Sequence, residues 1–266
     1  MVERWLARLS ASPYAEQFVL KGGMLLAAYD ARRPTADVDA LARGLVNDQD
    51  AVLGRISEVA GQGADDGVEF LTDTAVARPI REDAFYPGVR VAMDSRIAAA
   101  VVRFRLDINF GDPVTPAPRM IELPSLRPDT APVRVLGYPI ETVLAEKLAT
   151  AIMLGAANTR VRDYADIYTL TGRHDLMHGA VRAALDATAR FRGVEIVPLS
   201  SVLDDLVDLR RRTYRAYRTA LGVDGAELPT DFGEVVEAVR TFADPLARLT
   251  GYARWHPADR RWTAST

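Results

Sequence analysis

The sequence predicts an α+β protein in which a mixed-sheet lobe, residues 1–138, precedes a helical lobe, residues 139–266. Three observations predict it. Between Val68 and Leu123 four strand-like segments, "GVEFLTDTAVARPI", "GVRVAMDSRI", "AVVRFRLDINFGD" and "RMIELP", are split by Gly, Pro and Asp. From Pro139 onward the periodicity turns helical. At 266 residues and 48% hydrophobic content, the chain also passes the size of ~250 residues at which single cores stop growing.

The elements follow in order. Residues 1–12 read as a short amphipathic helix with Trp5, Leu6 and Leu9 on one side. "QFVLKGG" reads as a buried strand closing at a glycine turn, and "GGMLLAAYDARR" continues as a helix with Leu25, Leu26 and Tyr29 available for packing. After the breaker Pro34, "TADVDALA" alternates as a strand does. "NDQDAVLGRISEVAGQ" reads as a helix with Asn47 or Asp48 as its N-cap. Proline-rich "GDPVTPAPR" is a loop within the sheet lobe. The helical lobe is built from "PIETVLAEKLATAIML", with proline at its first turn, then "TRVRDYADIYTLTG", "MHGAVRAALDATARF", "SVLDDLVDLRRRTYRAYRTAL" and "DFGEVVEAVRTFADPLARL". No internal repeat interrupts this order.

Composition removes several classes of function. A net charge of -3 gives no bulk attraction to nucleic acid or anionic lipid, so any basic surface must be local. The absence of cysteine excludes disulfides, thiolate chemistry and Cys-based zinc sites. The three histidines, His174, His178 and His256, are too few for a His-rich metal cluster. "MVERWLARLS" lacks an apolar signal core, and no apolar run reaches the ~20 residues that cross a bilayer. The expectation is a soluble, cytoplasmic protein without a membrane partner. Of 33 basic residues only Lys21 and Lys147 are lysine. A GC-rich genome accounts for the arginine excess, and the two lysines then mark places where a compact point charge is needed.

In an extended segment, residues two apart share a face, so Thr35, Asp37 and Asp39 project together, with the two carboxylates about 7 Å apart at Cα. Such a pair suits a solvated strand end or a hard divalent cation, which takes carboxylates plus substrate phosphates. In "VRFRLDINF", Phe104, Leu106, Ile108 and Phe110 form one face, and Arg103, Arg105, Asp107 and Asn109 the other. If this strand lies beside the first, Asp107 becomes a third carboxylate, and three such groups repel unless cations neutralise them. The Gly22-Gly23 turn between strand and helix offers backbone N–H groups to a phosphate, or serves only as a turn. Lys147 lies on an amphipathic helix among Leu144, Leu148, Ala151 and Ile152, and Asp163 and Asp166 sit at i and i+3 on the next, as partners for Lys147 or an arginine, or facing a cleft. "DLRRRTYRAYR" places Arg210, Arg211, Arg212, Arg215 and Arg218 with Tyr214 and Tyr217 on one helix, a solvated face or a backbone-binding strip for RNA.

Taken in order, "LKGGMLL", "RPTADVDALA", "RLDINFGD", "ETVLAEKLATAI", "NTRVRDYADIYTL" and the ending "GYARWHPADRRW" resemble the AbiEii-type, MenT-like nucleotidyltransferase toxins of bacterial toxin–antitoxin pairs. The resemblance implies a polymerase-β-like nucleotidyltransferase core over 1–138, with the helical domain 139–266 completing the active-site cleft. It implies transfer of a nucleotide from a nucleoside triphosphate with Mg²⁺ or Mn²⁺, a tRNA acceptor end, and a cognate antitoxin partner. By motif position it assigns Asp37, Asp39, Lys147 and Asp163 to catalysis. Lys21, Gly22, Gly23, Thr35, Lys147 and Asp166 go to the nucleotide, and Asp37, Asp39 and Asp107 to metal. Arg211, Arg212, Arg215 and Arg218 are the RNA-binding candidates. The glycine turn departs from the G-S of general nucleotidyltransferases, so a serine hydroxyl is missing there. A protein or small-molecule hydroxyl as acceptor, and a nucleotide-binding protein without turnover, are the alternative readings.

Overall fold

The structure, a computed structural model, describes residues 1–35, 37–80, 88–125, 130–248 and 252–264. The chain divides into two compact units. The first comprises Met1–Ala28, Pro34–Asp112 and Pro118–Tyr138; the second comprises Tyr29–Arg33, Pro113–Ala117 and Pro139–Thr266.

The first unit contains α1 (Val2–Ala11), β1 (Phe18–Lys21), α2 (Gly22–Leu25), β2 (Val38–Ala42), α3 (Gln49–Ala60), β3 (Val68–Pro79), β4 (Gly88–Ile97), β5 (Ala100–Asn109), β6 (Arg119–Leu123) and β7 (Val133–Gly137). Its seven strands form one sheet in the order β3-β4-β5-β2-β1-β7-β6. The sheet is mixed: β1 pairs antiparallel with β2 and parallel with β7, and β2 pairs parallel with β5. Alternation along β5 decides its faces. Phe104, Leu106 and Ile108 are buried, on the side where the Trp5 ring of α1 meets Phe104 and Phe18, each at 6.1 Å. Arg105, Asp107 and Asn109 therefore point to the opposite face. α3 begins where expected, with the Asp48 carboxylate accepting from the Ala51 N–H at 2.9 Å.

Three local details differ from the sequence expectation. The helix read over "GGMLLAAYDARR" is only one α turn, followed by a 3₁₀ turn at Leu26–Tyr29, and ends at Asp30 with φ 53°. The left-handed backbone at Asp30 ends the turn, and Pro34 keeps Arg33 from resuming a helix. β2 starts at Val38, so Thr35 precedes the strand and position 36 falls outside the described residues. β7 adds a strand beyond the four strand-like segments of residues 68–123: the five residues of "VRVLG" offer too short an alternation, and the strand's parallel pairing with β1 is non-local.

The second unit contains α4 (Ile140–Leu154), α5 (Val161–Thr171), β8 (Leu176–Met177), α6 (His178–Arg192), α7 (Leu206–Ala220), α8 (Phe232–Arg248), β9 (Ala253–His256) and β10 (Arg261–Ala264). β9 pairs with both β8 and β10 in a small three-stranded sheet, which the helical periodicity gave no reason to expect. It is held by an aromatic cluster in which Trp262 stacks on Phe242 at 5.1 Å and Trp255 meets Phe242 edge-on at 5.0 Å. α7 starts only at Leu206, because Asp205 adopts φ 62° and interrupts the helix read from Ser201. Among the described residues no helix is long and apolar enough to cross a membrane.

Candidate active site

Strand register builds a row of charge on the face of the first sheet opposite α1. Arg90 of β4 pairs with Asp107 of β5, Asp107 with Asp39 of β2, and Asp39 with Lys21 of β1. Directly opposed residues point to the same face, with neighbouring strands about 4.8 Å apart. Two adjacent carboxylates are thus flanked by a cation on either side. Arg90 grips Asp107 bidentately, Nε to Oδ1 at 2.7 Å and Nη2 to Oδ2 at 2.6 Å. Lys21 donates to Asp112 Oδ2 at 2.7 Å and lies 5.1 Å from the Tyr138 ring centroid. One step along the same face, Arg105 Nη1 approaches Asp37 Oδ1 at 4.0 Å. The repulsion expected of clustered carboxylates is therefore answered by the chain's own cations.

Gly22 explains why the turn after β1 carries glycine. Its φ is +69°, and a Cβ built there would lie 2.0 Å from Asp39 Oδ2. Asp39 rests against the bare backbone of that turn. Gly23 is buried at the start of α2. The positive helix end expected there is weak, because four residues sum little dipole. The Thr35 hydroxyl donates to the Asp37 carbonyl at 3.3 Å, so it shapes the entry to β2.

The second unit holds its own ion cluster. Lys147 Nζ donates to Asp163 Oδ1 and Asp166 Oδ2, both at 2.7 Å. Arg160 Nε reaches Asp163 Oδ2 at 2.7 Å, and Arg33 Nε reaches Asp166 Oδ1 at 3.0 Å. Every oxygen of both carboxylates is engaged. Burial would raise the Asp163 pKa, but the Lys147 ammonium and the Arg160 guanidinium outweigh it and hold the group well below the usual carboxylate range. Burial likewise opposes the Lys147 charge, and the two aspartates outweigh that, so its pKa lies above the ordinary lysine value. With one oxygen accepting from Lys147 and the other from Arg160, Asp163 anchors the Lys147 ammonium. Beside the Arg33–Asp166 pair, a cavity of about 210 Å³ is lined also by Tyr217, Thr169 and Arg173.

On α7, Arg211, Arg212 and Arg215 are exposed, whereas Arg218 is half-buried and donates to the Leu228 carbonyl at 3.0 Å. Arg210 is spent on the Asn158 and Ala157 carbonyls. Tyr214 is 1% exposed, stacks on Phe232 at 4.8 Å and donates to the Pro229 carbonyl. The arginine-rich strip read from the sequence thus loses Tyr214 to the core.

Whether these residues fit a divalent ion turns on the donor set. Among the described residues no group of three or more Asp, Glu or His side chains is arranged to hold a metal. Asp107 lies in the expected row, with each of its oxygens accepting from Arg90. Asp37 and Asp39 are the two carboxylates that β2 and the residue before it contribute to this face. Asp37 Oδ1 is buried and has no hydrogen-bond partner among the described residues. Two hard oxygens completed by substrate phosphates are a usual Mg²⁺ environment, and the pair fits it. Asp112, Arg90, Arg105 and Arg33 are the site residues that sequence reasoning missed. Only Asp112 carried a local signal, as the acid after the glycine turn in "NFGD".

Two outcomes are expected. Asp163 contributes stability that is present above the unfolded carboxyl value of 3.8 and lost as pH falls through its lower folded value; Lys147 contributes stability present below 10.5 and lost as pH rises through its higher folded value. In urea unfolding, the stability gap between wild type and Asp163→Asn should be constant from about pH 5 to 9 and shrink below about pH 4. A gap unchanged down to pH 2 would contradict the cluster. Gly22→Ala and Gly44→Ala both pay for a left-handed backbone, about 1–2 kcal/mol, but only the first displaces Asp39, since nothing lies within 4 Å of a Cβ at Gly44. Mn²⁺ affinity should fall in Gly22→Ala alone; equal affinity in both variants would contradict the close packing of Asp39 on the turn.

JHP933 from Helicobacter pylori aligns with a TM-score of 0.50 at 16% identity, over 92% of this chain and 88% of its own. A second H. pylori structure, provisionally assigned as a nucleotidyltransferase, aligns with a TM-score of 0.49 at 16% identity, over 92% and 91%. The JHP933 likeness supports the α+β fold. No curated protein sequence matches significantly. The model of the family described as nucleotidyl transferase AbiEii toxin, type IV toxin–antitoxin system, matches residues 4–242. With nearly its whole length matched, this chain belongs to the AbiEii toxin family and is a nucleotidyltransferase of the toxin–antitoxin class.

Proposed function

We propose that the protein moves a nucleoside monophosphate from a nucleoside triphosphate to an RNA hydroxyl, the tRNA 3′ end, in the cytoplasm, and so blocks translation; the hydroxyl oxygen bonds to the α-phosphorus as the bond to the β-phosphate breaks, and pyrophosphate leaves. The observation that carries the reading is the Asp37–Asp39 pair, with one buried oxygen unsatisfied among the described residues and Lys21 opposite Asp39 in the strand register. Membership of a type IV family brings a cognate antitoxin with it.

In this reading Asp37 and Asp39 hold Mg²⁺ or Mn²⁺. When bound, such an ion offsets phosphate charge and aligns the attacking oxygen. The protein's own groups supply the rest. Gly22 lets Asp39 pack against the turn, and Lys21 faces the phosphate charge from the end of β1. Lys147, fixed by two aspartates, adds a second ammonium from residues 139–266, which the reading needs to complete the cleft begun by residues 1–138. Thr35 and Asp166 act indirectly, by shaping the entry to β2 and by orienting Lys147. Asp107 and Asp163 have their oxygens committed to arginine and lysine, so neither is given the proton of the attacking hydroxyl. Arg211, Arg212 and Arg215 form the exposed basic strip that meets the RNA backbone, with Arg218 at its less exposed end.

The test is transfer of label from each of the four α-labelled triphosphates to purified tRNA. One or more should label RNase-sensitive, protease-resistant product, and Asp39→Ala should lower the rate at least about 100-fold and relieve growth arrest on induction. Label that is protease-sensitive would move the acceptor to a protein. No labelling with any triphosphate, or an Asp39→Ala protein as active as wild type, would overturn the reading.

A further inference from the structure

Around Lys147 the described residues gather three cations and two anions: Lys147, Arg33 and Arg160 against Asp163 and Asp166. The balance matters. A lysine held by two carboxylates alone is a net negative group and repels a triphosphate; the two arginines reverse the sign to one positive charge. They are not equivalent. Arg160 lies three residues from Asp163 on adjacent turns, and its side chain is 43% exposed. Arg33 comes from far along the chain, its side chain is 16% exposed, and it meets Asp166 edge-on, Nε to Oδ1 at 3.0 Å with Nη2 3.4 Å from Oδ2. The oxygen that Arg33 brushes with Nη2 is the one that accepts from Lys147.

That geometry constrains the lysine. A carboxylate gripped along one edge by a planar guanidinium cannot rotate, so its remaining lone pair has a fixed direction. We propose that Arg33 is a positioning residue for Lys147: acting through Asp166, it fixes where the ammonium points and leaves the cluster with the positive charge that a triphosphate requires. The second half of this statement rests on the nucleotidyl-transfer reading; the first half does not. Arg33 also precedes Asp37 by only four residues, so the segment that leads into the carboxylate strand begins at the residue that holds the lysine in place.

The chain has only two lysines, which gives the test a clean readout. Protein labelled with ¹⁵N-lysine yields two side-chain ammonium signals, and Lys147→Arg identifies which is which. In the ligand-free protein, Arg33→Ala should shift the Lys147 signal and speed its proton exchange while leaving Lys21 unmoved; Arg33→Lys, which keeps the charge, should restore it in part. On the same samples, shown folded by thermal melting, the Kd for the triphosphate should rise about tenfold or more in Arg33→Ala, most at low salt, and recover in part in Arg33→Lys. A Lys147 signal identical in wild type and Arg33→Ala would overturn the positioning role. An Arg33→Ala protein with a displaced Lys147 signal but wild-type affinity would overturn the charge role. Wild-type protein that binds none of the four triphosphates, while its Lys147 signal still responds to Arg33, supports the positioning role and counts against nucleotidyl transfer instead.

Discussion

Two carboxylates on adjacent strands are tolerable in a sheet only if something nearby carries positive charge, and here the sheet itself provides it. Asp39 and Asp107 lie side by side in the β2–β5 register, closed off by Lys21 on one flank and Arg90 on the other. Shift β2 by one residue and Val38 would enter that row while Asp39 turned into the packing around Trp5. The register is therefore fixed twice, by the burial of Val38, Ala40 and Leu106 on one face and by charge on the other. The same row explains the glycine turn, since Asp39 occupies the space where any larger residue at position 22 would place its Cβ.

The second unit repeats the principle with helices. Asp163 and Asp166 are buried, and each carboxylate is shared between Lys147 and an arginine. A lone buried carboxylate would shed its charge; one held by two cations keeps it. The two lysines of the chain thus occupy equivalent chemical positions, each a compact ammonium seated against an aspartate oxygen at 2.7 Å. Nζ of Lys147 meets two carboxylates from one point, which a planar guanidinium fork does less readily.

Much of this was legible from residue order. Alternation in "VRFRLDINF" gave the faces of β5, and with them the side on which Asp107 sits. The i, i+3 spacing of Asp163 and Asp166 put both on one side of α5, where both reach Lys147. What stayed hidden depends on contacts between distant residues. Nothing local in "ARRP" reveals that Arg33 meets Asp166, 133 positions away. Nor does "VRVA" show that Arg90 will cover Asp107, because that requires the β4–β5 register. Tyr214 looked available on a helix rich in arginine, and only the packing of α8 brings Phe232 against it.

In the proposed reaction Asp37 and Asp39, rather than Asp107, supply the carboxylate oxygens that meet the metal. Crystals grown with Mn²⁺ and a non-hydrolysable triphosphate test it directly, because manganese scatters anomalously. The account predicts an anomalous peak about 2.1 Å from oxygens of Asp37 and Asp39, with Arg90 still paired to Asp107. A peak on Asp107 with Arg90 swung away, or one remote from Asp37 and Asp39, would contradict it.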